Sequence, residues 1–459
     1  IINTTRCSLF VTGKAGTGKS TFLRYVSKTT KKKHVILAPT GIAAINAGGS
    51  TLHSFFRIPF HPLLPNDNQY STKNIRKTLK YSSNHVKLIR ELELIIIDEI
   101  SMVRADIIDF IDKVLRTYCR NSREPFGGKQ LLLVGDIFQL EPVLKEDDRR
   151  LLQPFYVSSY FFSAKIFQEM QLVSIELRKV YRQTDCKFIG ILDRIRCNSA
   201  NDSDLQTLNT RVNATTRKKD SNLVITLASR RDTVDYINDQ QLAQLDGNSS
   251  VFNGTIRGDF PETSLPTPME LEIKPGAQVI FIKNDKEKRW VNGTLGVVSG
   301  IDEEEGIISV VVEDGNEYDV ERVAWENIRY KFNEKEQKIE EELLGVYTQF
   351  PLRLAWAITI HKSQGLTFRH VNIDFTGGVF AGGQTYVALS RCTSLEGICL
   401  KEPIRHSDIF VKSEVVRFAS LYNNNSIMQK AISESKADKE YREAVEAFDR
   451  CDFDTFMNN

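Results

Sequence analysis

The stretch Leu9–Thr21, LFVTGKAGTGKST, constrains this chain more than any other. Leu9, Phe10 and Val11 read as a short buried strand. Gly13 follows, then four residues, then Gly18-Lys19-Ser20 and a helix-like segment over Thr21–Val26. A glycine-rich loop between a strand and a helix is a phosphate cradle. The spacing predicts that Gly13, Ala15, Gly16, Thr17, Gly18 and Thr21 turn backbone N–H groups toward phosphate oxygens. The helix N-terminus adds partial positive charge. Lys19 reaches the β and γ phosphates, and the Ser20 hydroxyl ligates Mg²⁺.

With 459 residues there is room for two to four domains, each with its own core. An apolar content of 41% and a charged content of 26% fit a soluble globular protein. The net charge of +2 makes any nucleic-acid surface a local one. No apolar run is long enough to span a bilayer. The opening IINTTRC lacks a signal-peptide pattern. The seven cysteines are scattered without a CxxC pair, which reads as reduced thiols in an intracellular protein.

Several further stretches end apolar runs in chemically useful residues. HVILAPT (His34–Thr40) is a second buried strand, and TGIAAINAGGSTLHSFF opens a small-residue helix at Thr40 and Gly41. In an open parallel sheet that edge binds ligands. Ser50, Thr51, His53 and Ser54 are placed for a phosphate backbone, and Phe55 or Phe56 reads either as core or as a base-stacking ring. Residues 57–81 hold Pro59, Pro62 and Pro65, and Ser71 to Arg90 form a basic run without Asp or Glu, read either as a solvated face or as a strand contact. LELIIIDEIS ends in Asp98, expected to hold Mg²⁺ directly or through water, and Glu99, expected to polarise the attacking water. The apolar stripe of Met102–Arg116 is core. Asp136 and Gln139 follow the strand in KQLLLVGDIFQLEPV, either sensing the γ-phosphate or forming a capped turn.

The rear half repeats the theme. LRKVYRQTD carries Arg182, which reads as an arginine brought to the phosphates or as a surface ion pair. Residues 246–347 hold short alternating strands with Gly, Asn and Asp turns, expected to form an inserted antiparallel barrel, with Lys283, Arg289 and Trp290 as strand contacts or structure. A helix carrying Thr359, His361, Lys362, Ser363 and Gln364 is expected to end at Gly365, and Arg391 to end another helix facing the γ-phosphate.

These motifs, as GKAGTGKS, APTGIAA, GGSTLHSFF, IIIDEISM, GDIFQLEPV, LRKVYRQ, TIHKSQGLTF and VALSRCTS, resemble those of the petite-integration-frequency (Pif-type) DNA helicases. That family is part of the RecD-like branch of helicase superfamily one. The resemblance implies an α/β fold with two RecA-like domains, at 1–180 and at 181–245 with 348–406. It places a wedge at 57–81, a Src-homology-three-like barrel at 246–347 and a helical appendage at 407–459. It implies ATP and Mg²⁺ between the cores and 5′→3′ movement on single-stranded DNA. Opening of single-strand/duplex junctions and G-quadruplexes, and roles in DNA repair, recombination and telomere maintenance, follow from it as well. The expected protein is a monomer that can pair on DNA, away from membranes, in a bacterial cytoplasm or a nucleus. Lys19, Ser20, Asp98, Glu99, Asp136, Gln139, Arg182, Gly365 and Arg391 fall on nucleotide-site motifs. Thr40, Gly41, His53, Phe55, His361, Lys362 and Ser363 fall on strand-contacting ones. The glutamine that in the family precedes the first strand and reads adenine is not visible. Two other readings use the same loop: a nucleotide-gated DNA-binding switch and a small-molecule phosphotransferase.

Overall fold

The computed structural model describes residues 2–142, 144–181, 185–214, 223–336, 338–379, 381–433 and 437. Apolar runs with few polar interruptions form a first sheet covered on both faces, the sequence signature of buried parallel strands. Its strands are β1 (Leu9–Gly13), β2 (His34–Ala38), β3 (Ser50–Thr51), β4 (Leu94–Ile97), β5 (Gln130–Val134) and β6 (Val173–Leu177). They lie in the order β3-β2-β4-β5-β1-β6, every pairing parallel. Their C-terminal ends therefore share one edge, with β1, β5 and β4 side by side.

Three helices start at that edge. α1 (Lys19–Thr29) begins at Gly18, whose φ of 86° is the left-handed conformation that glycine adopts without strain. α2 (Gly41–Ala47) and α3 (Leu52–Phe56) begin at Thr40 and Thr51, whose hydroxyls accept from the N–H groups of Ala43 and Ser54. The stripe expected over Met102–Arg116 is core, in a helix spanning Ala105–Tyr118. The basic segment after residue 71 forms two short helices, Ile75–Leu79 and Ser83–Glu91.

A second parallel sheet holds β7 (Ile225–Ala228), flanked by strands Ala357–Thr359 and Val371–Asp374, with Ile398–Leu400 outside the latter. Helix Cys186–Arg196 and helix Gln384–Leu389 belong to this second core. The helix expected to carry His361 to Gln364 is not formed. A strand ends at Thr359 and a tight turn follows, with Gly365 at φ 79°.

Between the halves of the second core lies an antiparallel insertion. Four strands from Gln278 to Val320 form a sheet that Leu352–Leu354 completes, so its pairing runs past residue 347. A long hairpin, Val323–Asn333 with Lys338–Gln349, pairs with Thr255–Gly258. Its Tyr330 and Phe332 pack into the first core, and the Tyr330 hydroxyl accepts from Ile36 N–H at 3.3 Å. After the second core the chain returns to the first. Phe418, on helix Ser413–Ala419, stacks on Phe162 at 4.4 Å, and Tyr422 meets Phe10.

Candidate nucleotide and strand site

The strand ends of β1, β5 and β4 set the phosphate loop, Asp136 and the Asp98–Glu99 pair next to each other. Gly13 is closely hemmed: a Cβ there would lie 2.5 Å from Thr17 Oγ1 and 2.7 Å from the Leu177 carbonyl. Lys19 Nζ donates to the carbonyls of Gly13 at 2.7 Å and Lys14 at 3.1 Å, so its ammonium lies along the loop's inner rim. Ser20 and Thr21, in the first turn of α1, are exposed. The donor set fits a nucleotide triphosphate with Mg²⁺: loop N–H groups and an ammonium for phosphate, a hydroxyl and a carboxylate for a hard cation. Among the described residues no cluster of three or more His, Cys, Asp or Glu could hold a metal. Mg²⁺ needs none, since phosphates and waters complete its shell.

Glu99 sits at φ 49°, in the left-handed region that non-glycine residues adopt infrequently. Burial and the adjacent Asp98 push its carboxyl up, against the pull of Lys19 and Arg391. That pull of Arg391 acts across from the second core to the first. Arg391 is 1% exposed, past the end of helix Gln384–Leu389. Its guanidinium donates to the carbonyls of Val387, Ser363 and Leu366 and to Ser390 Oγ. It therefore ties that helix to the turn after Thr359. Gln139 is buried and donates to Asp136 Oδ2 at 3.3 Å. Arg182 lies outside the described residues.

Other second-core groups that the motif reading did not single out close on the same edge. The Tyr386 hydroxyl accepts the Ala15 N–H at 3.1 Å. Asp193 pairs with Lys14, and Arg196 with Asp136 at 3.0 Å. Gly383 approaches so closely that a Cβ would lie 2.3 Å from the Phe138 carbonyl. The void left between Lys14, Ala15, Leu192, Asp193, Tyr386 and Ser390 measures about 10 Å³. Tyr386 had one signal, its place five residues before Arg391 in QTYVALSR; Arg196 had none, being one more basic residue at a helix end. Tyr181 N–H donates to the Gly16 carbonyl at 2.9 Å while its ring is 68% exposed, an aromatic face beside the loop.

The strand-contacting candidates divide. Thr40 is exposed and Gly41 half-buried, at the end of β2. A Cβ on Gly41 would lie 2.3 Å from Ser264 Oγ, so the insertion reaches this edge. His53 is half-buried and stacks on Phe60 at 5.1 Å with the planes 7° apart. Phe60, in the 57–81 segment, is 90% exposed and had not been singled out. Burial lowers the His53 pKa, as it does that of His361. Phe55 takes the core alternative: it is 4% exposed, edge-on to Phe56 at 4.8 Å and near His85 and Tyr330. Lys362 is exposed on the turn after Thr359, whereas Ser363 is fully buried with its hydroxyl donating to the Ile360 carbonyl. As they stand, Phe55 and Ser363 present no side-chain surface to a strand, because packing and a local hydrogen bond have claimed them.

Two parallel-sheet cores meeting at a phosphate loop, with acidic residues on one side and a buried arginine from the other, define a two-core P-loop nucleotide-binding protein. Residues 1–203 match the PIF1-like helicase family. The human ATP-dependent DNA helicase PIF1 is 35% identical over 403 residues, 85% of this chain and 58% of that protein. Pif1 from Bacteroides sp, in complex with ADP-AlF4, is 40% identical with a TM-score of 0.82, covering 90% of this chain and 93% of that one. The Bacteroides Pif1 structure bound to ssDNA is 40% identical with a TM-score of 0.64, covering 92% and 94%. The chain belongs to the PIF1-like helicase family. It spans 58% of the length of the human and zebrafish relatives it matches.

Proposed function

We propose that this chain is an ATP-dependent DNA helicase that moves 5′→3′ on single-stranded DNA and opens duplex junctions and G-quadruplexes. The observation that carries the reading is the approach of Arg391, Tyr386 and Gly383 of one core to Glu99, Ala15 and Gln139 of the other. Hydrolysis in such a crevice is coupled to relative motion of the cores, because each core supplies part of the site.

The roles we assign rest on the motifs and on where the described residues lie. Lys19 and the loop N–H groups take the triphosphate, and Tyr181 offers its exposed ring to the adenine. Ser20 and Asp98 would hold Mg²⁺, which would neutralise negative charge on the phosphates. Glu99, with its carboxyl raised, accepts the proton of the attacking water. Gln139 orients that water, and Arg391 meets the developing charge from the second core; Arg182, outside the described residues, is assigned to the same charge by its motif alone. Thr40, Gly41, His53, His361 and Lys362 at the core edges, with the Phe60 ring, meet the strand. Such contacts are sequence-tolerant and salt-sensitive. The relative solved with ssDNA supports this ligand class. The protein works inside the cell as a monomer that can pair on DNA.

Strand displacement on duplexes with a 5′ or a 3′ tail tests the proposal. Unwinding of the 5′-tailed substrate alone, dependent on ATP and lost in Lys19→Ala, is expected. Nucleotide-gated DNA binding without displacement would favour the switch, and ATP turnover indifferent to DNA but responsive to a metabolite would favour the phosphotransferase.

A further inference from the structure

Arg196 ends the helix Cys186–Arg196, which is built into the second core through Phe188, Ile191, Leu192 and Ile195. Its side chain leaves that core and is 3% exposed between two carboxylates of the first. One terminal nitrogen donates to Asp136 Oδ1 at 3.0 Å and the other to Glu176 Oε1 at 3.1 Å. The guanidinium lies 4.3 Å from the centroid of Phe138. Asp136 is also engaged within its own core. Its Oδ1 accepts the Phe138 N–H at 3.2 Å and its Oδ2 the Gln139 side-chain amide at 3.3 Å. The same carboxylate thus holds Gln139 and is held by the second core.

We propose that Arg196 is a positioning residue for phosphoryl transfer: pinned on Asp136, it keeps the Phe138–Gln139 segment in register with the second core. The inference rests on the hydrolytic reading above and extends it to a residue outside the family motifs quoted. The physical case is one of burial. Asp136 is 1% exposed, and a buried carboxylate deprived of its counter-charge turns toward other donors. Any such turn moves Gln139, which hangs from its second oxygen. The neighbouring contacts of the helix lack this leverage. The Lys14–Asp193 pair, with side chains 25% and 36% exposed, is worth little. Glu176, at the end of β6, is joined to Arg196 by a single hydrogen bond and has no bond to Gln139.

The test compares Arg196→Met, Arg196→Lys, Glu176→Gln and the double variant Arg196→Met/Asp136→Asn in the whole chain, reading DNA-stimulated ATP turnover and melting temperature. Arg196→Met should lose about 100-fold in kcat, the scale of a one-ångström misplacement. Its KM for ATP should change by less than about twofold, since no binding group is removed. Arg196→Lys, which keeps the charge, should recover much of the loss, and Glu176→Gln should turn over normally. If Arg196→Met fails to fold, the double variant, which removes the unpaired buried charge at residue 136, should fold and still be slow because the second core no longer holds residue 136. A normal kcat in Arg196→Met or in the double variant overturns the proposal, as does an equal loss in Glu176→Gln. Absence of ATP hydrolysis by the unmodified chain would instead sink the hydrolytic reading itself.

Discussion

Gly383 offers a direct measure of how closely the two cores must meet. It has φ 79° and precedes helix Gln384–Leu389. In Gly383→Ala the new methyl would lie 2.3 Å from the Phe138 carbonyl oxygen and 2.4 Å from that of Gln139. Ordinary carbon–oxygen approach is about 3.3 Å, so the cores must separate by about 1 Å at this point. Neither oxygen can rotate away, since both are backbone. Left-handed geometry with a side chain costs about 1–2 kcal/mol, and overpacking adds about 1–3 kcal/mol. Urea unfolding should therefore show a loss of roughly 2–5 kcal/mol. DNA-stimulated hydrolysis should fall by about 100-fold, while binding of a fluorescent ADP analogue persists, because the Gly13–Ser20 loop is untouched. Gly378→Ala is the control: its φ is 87° and its Cβ would meet nothing within 4 Å, so it carries the backbone cost alone. A folded Gly383→Ala protein that hydrolyses ATP at the unaltered rate would refute the claim that the Phe138–Gln139 segment must touch the second core during turnover.

Three other outcomes are expected. Glu99→Gln should bind ATP and hydrolyse it far more slowly; single-turnover assays that find normal DNA-stimulated hydrolysis would remove Glu99 from the role of base. Phe60→Ala should weaken single-stranded DNA binding, with a loss of about 1–3 kcal/mol if the ring stacks on a base, and leave ATP affinity unchanged; fluorescence anisotropy checks both. His85 is held down to about 4 by burial, with its Nε2 2.9 Å from the Phe55 carbonyl. A histidine kept neutral in the fold but not in the unfolded chain stabilises above pH 6.5. That contribution is lost as pH falls toward 4, by up to roughly 3 kcal/mol. His85→Gln should flatten the slope of stability between these pH values, and an unchanged slope would discount this histidine.

The first core was legible because its strands carry their chemistry at their ends. Lys19, Asp98 and Asp136 each follow an apolar run, and parallel pairing brings those ends to one edge. Residues whose role depends on the other core were harder. Arg196, Asp193 and Gly383 look ordinary in sequence and acquire significance only when Asp136, Lys14 and Phe138 stand opposite. Polar residues also misled. Ser363 invited a strand contact, yet its hydroxyl closes a turn that lacks the expected helix. Phe55 could be core or stacking ring by composition, and only the packing of His85 and Tyr330 around it decides. The hairpin that carries Tyr330 onto the first core was hidden because alternation reveals strands, not where a sheet leans.

The return of the chain to Phe10 has a consequence for biogenesis. Phe10 belongs to β1, yet Phe418 and Tyr422, which pack against it at 5.8 and 5.9 Å, are separated from it by some four hundred residues of sequence. During synthesis at about 5–20 residues per second, the apolar floor beneath the phosphate loop waits tens of seconds for its cover. The nascent first core is thus a natural client for chaperones, and its maturation is paced by the ribosome's arrival at Phe418 and Tyr422.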